Sequence, residues 1–224
     1  MSIPVEAQPA PAAGSRVLLT DGSTALIRRL DRGDRAAVDA LHQSLPVDDR
    51  YLRFFSVSTV GPRMIADVIV ADDETAVGAF RGDRLLGVAH FRHEPPGTDP
   101  EFAIAVAHAD QHTGVGSLLL EHLAAAAVEE GVARLTAEVL AANHGMLHVL
   151  RDSGIPMSSI PQGDEISIVL HLDHLRIEPA DTDGFTDAVL RRQALAGAAS
   201  LRPVFQPCSL AVVGVGRRPD SVGG

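Results

Sequence analysis

Gln111-His112-Thr113-Gly114-Val115-Gly116 joins an apolar run, Phe102 to Ala107, to a long amphipathic segment that ends near Glu130. A strand that passes through a glycine-bearing turn into a helix start aims several backbone N–H groups at one spot, where the helix dipole also favours negative charge. Such a turn suits a pyrophosphate. Glycine at 114 and 116 lets a phosphate approach the backbone with no Cβ in the way. The stretch is not a lysine-containing phosphate loop, because no Gly-Lys-Ser/Thr follows, and it lacks the third glycine of the dinucleotide fingerprint. Taken alone, these six residues allow two readings, an anion nest or an ordinary strand-to-helix turn.

Working outward, Asp21-Gly22 has the chemistry of a tight turn between short strands at Arg16–Thr20 and Thr24–Leu30. Asp34 can cap a helix running to about Leu45, where Pro46 closes it, and Arg63–Val70 suits a second short helix. Tyr51, Phe54 and Phe55 read as core. Thr75–Phe80 and Leu85–Arg92 are apolar strands joined by Arg81-Gly82-Asp83-Arg84, and Glu101–Ala107 makes a third. The helix after the turn carries Val115, Leu118, Leu119, Leu123, Ala126 and Ala127 on one face and stops at Gly131. Arg134–Leu140 is the next strand. Asn143 caps a helix that Gly154 ends, and Ile166–Leu172 is the last strand of the unit. The order predicts an α/β (α+β) layered fold over residues 16–173. Residues 1–15, rich in Ala and Pro, read as a disordered lead. Residues 174–200 read as a linker with a helical stretch, and 201–224 as the opening of a further nucleotide-binding-type unit.

A chain of 224 residues with 46% hydrophobic content can bury a sizeable core. No apolar run approaches the roughly 18 to 20 residues that span a bilayer, so no membrane association is expected. One cysteine, Cys208, excludes an internal disulfide framework and fits the cytoplasm. The net charge of −10 argues against a nucleic-acid partner. An anionic ligand must then be held by a local nest of N–H groups.

The apolar strand, the Gln-x-x-Gly-x-Gly turn and the Asn-capped helix together resemble the GNAT acetyltransferase superfamily. The resemblance implies a mixed, mostly antiparallel central sheet with helices on both faces, and acetyl-CoA as acyl donor with no metal. It assigns donor binding to Ile104, Ala105 and Val106 of the strand, to Gln111, His112, Thr113, Gly114, Val115, Gly116 and Ser117, and to Asn143. Asp21-Gly22-Ser23-Thr24, Ile27-Arg28 and Arg50 to Ser56 are similar to the N-terminal signature of bacterial protein lysine acetyltransferases, often fused to an ADP-forming acyl-CoA synthetase-like region. Leu201 to Gly224 looks like the first residues of that region's CoA-binding domain. The resemblance thus implies a fusion that breaks off here. Members of the group commonly have Gly and Arg where this chain has His112 and Thr113, so one cationic contact to the pyrophosphate is lost. The tyrosine acid of many members is also missing, its place falling near Leu150.

A lysine amine has an unperturbed pKa of about 10.4 and must lose a proton before it attacks a thioester. A positioned carboxylate can take it. The resemblance points to Glu101, at the start of the strand leading into the turn; the plain alternative is a solvated carboxylate at a strand end. Glu138, on the neighbouring strand, is the runner-up, and Glu94 and Asp99 flank the same loop. The oxyanion is expected to meet a backbone N–H at Ile104 or Ala105. Asn143 reads as a helix N-cap, with a donor contact implied by the family. Of the ten histidines, His90 with His93 and His144 with His148 have suggestive spacing; only the second of these pairs falls at i,i+4, with no zinc-site pattern around it, so metal is not expected.

The leading expectation is acetyl transfer to a protein lysine, with AMP-forming acyl-CoA synthetases as the partners the resemblance implies. Two others stand beside it: acetylation of a small amine, and a non-catalytic module that senses acyl-CoA.

Overall fold

The computed structural model describes residues 14–54, 62–92, 95, 98–176 and 183–205. Strands β1 (Ser15–Leu18), β2 (Thr24–Arg29), β3 (Glu74–Arg81), β4 (Arg84–Arg92) and β5 (Phe102–Val106) pair antiparallel in chain order. A second antiparallel sheet holds β6 (Arg134–Leu140), β7 (Met157–Gln162) and β8 (Glu165–His171) in the order β6-β8-β7. The two sheets meet at one parallel bridge, Glu101 with Thr136, where the Thr136 N–H donates to the Pro100 carbonyl at 2.8 Å. Beyond that point β5 and β6 part, and a cleft opens between them.

Helices α1 (Arg35–Ser44), α2 (Val47–Phe54) and α3 (Pro62–Ile69) precede β3, and α4 (Val115–Glu129) follows β5. Helix α5 (His144–Asp152) lies between β6 and β7, and α6 (Asp183–Phe205) follows β8. The first sheet carries a separate apolar cluster on each face. Leu85 and Val88 of β4 join Val38, Leu41 and Ile69 of α1 and α3, whereas Leu86, Ala89 and Phe91 join Leu119 and Leu123 of α4. Strict alternation would put Leu85 and Val88, three residues apart, on opposite faces. The pairing slips where Ala79 faces Gly87 and Phe80 faces Leu85, so Leu86 is an extra residue, and this bulge reverses which face each β4 side chain serves.

Helix α4 is buried around most of its circumference, with Leu119, Leu120, Leu123, Ala124 and Ala127 all fully enclosed. It ends as its sequence predicts: Gly131 has φ of +86°, its N–H donates to the Val128 carbonyl, and the Val132 N–H donates to the Ala127 carbonyl. That pair of bonds is the glycine stop of a Schellman turn.

Several expectations need correction. Asp34 adjoins α1 but makes no side-chain cap there; Asp31 caps a short 3-10 turn at Arg32–Asp34, and the Asp34 carboxylate reaches back to the Asp31 N–H. Helix α2 and strand β7 were not read from the sequence. β7 has no buried residue, so its burial pattern carries no alternation to detect. Tyr51 is 45% exposed and does not belong to the core; Phe55, and the Phe54 side chain, lie outside the described residues. Helix α6 runs on to Phe205, past the expected boundary at residue 200. Residues 1–13 and 206–224, with Cys208, are outside the described residues.

Asp34 ties α1 to the first sheet. Arg28 of β2 donates to both of its carboxylate oxygens at 2.7 Å, and the same guanidinium lies 4.2 Å from the centroid of the Phe80 ring. Burial pushes the Asp34 carboxyl up, but the Arg28 hydrogen bonds, the Asp31 N–H and the Arg28 charge outweigh it and hold it below its ordinary value. A depressed carboxylate contributes stability above its unfolded pKa of about 3.9, lost as pH falls through the folded value. Asp34→Asn should therefore lower stability in urea titrations at pH 7 and reduce the further loss on acidification below about pH 4. An unchanged acid limb would exclude this coupling.

Candidate active site

The ladder geometry determines which backbone groups face the cleft. The Ala107 N–H donates to the Leu86 carbonyl at 2.8 Å, and antiparallel alternation then turns Ala103 and Ala105 towards β4 as well. Ile104 and Val106 keep their N–H and C=O groups on the open edge. On the other wall, the Leu172 N–H donates to the Ala133 carbonyl, so Glu138 directs its backbone groups away from β8 into the same cleft, while the Leu140 carbonyl accepts from the Asn143 N–H at 2.8 Å. Two unpaired strand edges thus line a cavity of about 890 Å³. A pantetheine-like chain, with its own amides, matches such edges in hydrogen-bonding type.

The turn after β5 closes one end. Asp110 is buried and takes two hydrogen bonds from Arg84, each 2.8 Å, while its carbonyl accepts from the Thr113 hydroxyl at 2.5 Å. The Thr113 and His112 carbonyls are held by the Thr20 N–H at 2.9 Å and the Thr20 hydroxyl at 3.4 Å. His112 has φ of +61°, the one non-glycine residue with a left-handed backbone among the described residues. Gly114 has φ of +87° at the N-cap of α4. With their carbonyls held elsewhere, the N–H groups of Gly114, Val115, Gly116 and Ser117 have no acceptor among the described residues. Gly114, Gly116 and Ser117 line the cavity.

The two glycines serve different ends. Gly114 needs the left-handed conformation, and a Cβ there would also sit 3.1 Å from Thr20 Cγ2. Gly116 is helical, and its missing side chain admits Val149 of α5, whose Cγ2 would be 3.1 Å from a Cβ.

Both candidate bases reach the cavity. Glu101 is exposed at the point where the sheets part, and no hydrogen bond engages its carboxylate among the described residues. Glu138 is also exposed, but both of its oxygens accept from the Ser167 hydroxyl, at 2.7 and 2.9 Å. Asp99 is paired with Arg134 at 3.0 Å and does not line the cavity, and Glu94 lies outside the described residues. Of Ile104 and Ala105, both on the cavity wall, only Ile104 has a free N–H.

Asn143 caps α5, its Oδ1 accepting from the Met146 N–H at 3.0 Å, while Nδ2 donates to the Leu52 carbonyl at 3.4 Å. A side-chain contact to a ligand would have to displace the longer bond. Gln111 turns its amide to Asp49, 2.8 Å away, and Asp49 also holds His108 Nδ1 at 3.0 Å. Asp49 lines the cavity and was not anticipated; the signal available was the acidic first turn of α2. Leu150 is fully buried, so the family's tyrosine position is core here. His148 pairs with Asp152 at 3.0 Å, and among the described residues no three His, Cys, Asp or Glu side chains are gathered as a metal site. No helix among the described residues is long and apolar enough to cross a membrane.

The cavity has a further contributor. Helix α6 brings Ala188, Arg191, Arg192 and Leu195 to its wall. Burial lowers the pKa of the Arg192 guanidinium, and the Glu121 carboxylate of α4 pairs with it.

The family model described as acetyltransferase (GNAT) family matches residues 41–155. Among solved structures, the GNAT domain of S. lividans PAT is 27% identical, with a TM-score of 0.63 over 70% of this chain and 96% of that one. The yncA protein of Salmonella typhimurium, solved with its cofactor acetyl-CoA, is 19% identical, with a TM-score of 0.56 over 70% of this chain and 97% of that one. The cAMP-binding acyltransferase from Mycobacterium smegmatis is 21% identical, with a TM-score of 0.50; the match covers 82% of this chain and 56% of that longer one. The last two likenesses are of fold alone.

Proposed function

Because the chain belongs to the acetyltransferase (GNAT) family and is an acetyl-CoA-dependent acetyltransferase, we propose that its acceptor is the ε-amine of a protein lysine. The observation that carries this is the exposed Glu101 at the rim of a cleft whose other end offers four unengaged N–H groups. A lysine presented on another protein reaches an exposed carboxylate without being enclosed. The sequence resemblance to bacterial protein lysine acetyltransferases and the 27% identity with the PAT domain support the same acceptor class. AMP-forming acyl-CoA synthetases are the substrates to test first, and the single cysteine favours the cytoplasm.

In this reading the N–H groups of Gly114 to Ser117 hold the donor's diphosphate, and the open edge at Ile104 and Val106 aligns its pantetheine arm. Glu101 takes the proton of the lysine ammonium, directly or through water. The freed amine attacks the thioester carbonyl, and the Ile104 N–H stabilises the resulting oxyanion. Collapse breaks the C–S bond, giving the acetyl-lysine amide and CoA. The proton that the attacking nitrogen sheds as the amide forms reaches the leaving thiolate through water, and a thiol of pKa about 8.5 leaves readily. Gln111, His112, Thr113 and Asn143 shape the turn and the base of the cleft, and Glu138 is the alternative base.

The test measures CoA release and acetyl-lysine with acetyl-CoA and either a lysine-bearing synthetase or a panel of small amines. Turnover on the protein alone supports the proposal, and turnover confined to small amines overturns it. Donor binding without turnover on any acceptor would leave a sensing role.

A further inference from the structure

The phosphate turn itself carries no Lys or Arg, and the cavity wall holds the carboxylates of Asp49, Glu101, Glu138 and Asp152. In a chain of net charge −10 such a wall repels a multiply phosphorylated donor. Among the described residues, the guanidinium groups on this wall are Arg191 and Arg192, both from α6, a helix beyond the residues that the family model matches. Its placement is close-packed. Ala196 is buried, and a Cβ on Gly22 would lie 2.8 Å from the Ser200 backbone nitrogen, so the helix rests directly on the β1–β2 turn. Arg192 passes the phosphate turn, its Cδ 4.0 Å from where a Cβ on Gly114 would be, and ends at Glu121 in an ion pair largely shielded from water. Replacing such a pair by apolar groups is often neutral for stability, so stability alone does not account for it. Arg191, one residue earlier, is exposed and has no acidic partner among the described residues.

We propose that α6 completes the donor site, with the Arg191 guanidinium contacting the donor's diphosphate across from the N–H groups of Gly114 to Ser117 and the Arg192–Glu121 pair positioning the helix for that contact. The inference rests on the donor reading above and adds a binding element from outside the matched family region. It places the missing cationic contact of the turn on a different part of the chain. Arginine suits the task because its planar fork can bind two phosphate oxygens at once.

The full chain and Arg191→Ala are titrated calorimetrically with acetyl-CoA at low and high salt, and with S-acetylpantetheine, which keeps the thioester arm and lacks phosphates. The expected result is a Kd for acetyl-CoA raised about tenfold in Arg191→Ala at low salt, less at high salt, and unchanged for S-acetylpantetheine. Arg191→Lys should recover part of the loss. Glu121→Met with Arg192→Met tests the positioning role: it should weaken acetyl-CoA in the same direction, again sparing S-acetylpantetheine. Arg191→Ala binding acetyl-CoA like the parent overturns the contact, as does an equal loss with both probes. A parent that binds no acetyl-CoA overturns the donor reading itself, a result separable from either.

Discussion

Glu101→Gln is expected to lower kcat by about 10²- to 10⁴-fold while leaving acetyl-CoA affinity within about twofold of the parent. The magnitude follows from the acceptor. With an unperturbed pKa of about 10.4, fewer than about one lysine in a thousand is neutral at pH 7, and the residue at 101 determines whether the enzyme or the solvent removes the proton. The amide variant cannot accept it, so its rate should climb about tenfold per pH unit over a range where the parent's climbs less. Single-turnover rates across pH 6 to 10 separate the two. Glu138→Gln is the control: Glu138 lies on the same cavity, but Ser167 occupies its oxygens, and a small change is expected. If Glu138→Gln shows the large loss and Glu101→Gln does not, the base belongs on β6.

Gly114→Val is expected to raise the Kd for acetyl-CoA by tenfold or more, and to destabilise the fold by about 1–3 kcal/mol through backbone strain. Two effects act together. At φ of +87° a β-branched side chain is strained wherever it points, and its Cβ would start 3.1 Å from Thr20 Cγ2, the residue that holds the turn's carbonyls away from the cavity. Gly116→Ala makes a sharp comparison, because position 116 is helical and only the contact with Val149 opposes a methyl group. Val149→Ala should therefore rescue Gly116→Ala in both thermal melts and donor titrations, and no neighbouring substitution should rescue Gly114→Val. Rescue of Gly114→Val by Thr20→Ala would show that crowding, not backbone conformation, is the constraint there.

Much of the cleft's first wall was legible in the chain. The apolar run, the glycines and the amphipathic segment placed β5, the turn and α4 because each is a local pattern: alternation, a conformation that excludes a Cβ, and helical periodicity. Asn143 was legible for the same reason, since a side-chain cap spans three residues. Asp34 shows where such reasoning fails. Two acids, Asp31 and Asp34, can each start a helix there, and Arg28, six residues back on β2, takes the second one away from the helix end. Helix α2 went unread although its acidic first turn was visible, and Asp49 on it then meets Gln111 and His108 some sixty residues later.

By itself, the sequence determined the strand, the glycine-bearing turn and the helix that follows it, the carboxylate at the start of that strand, and the family to which they point. Tertiary structure alone decided that β5 and β6 part beyond the Glu101–Thr136 bridge, that Ile104 and not Ala105 keeps a free N–H, and that α6 returns to bring Arg191 and Arg192 to the cavity wall. The physical reason is range. Caps, turns and periodicity arise from neighbours a few residues apart, whereas a ladder's free edge and a helix docked about eighty residues downstream depend on contacts that no local pattern encodes.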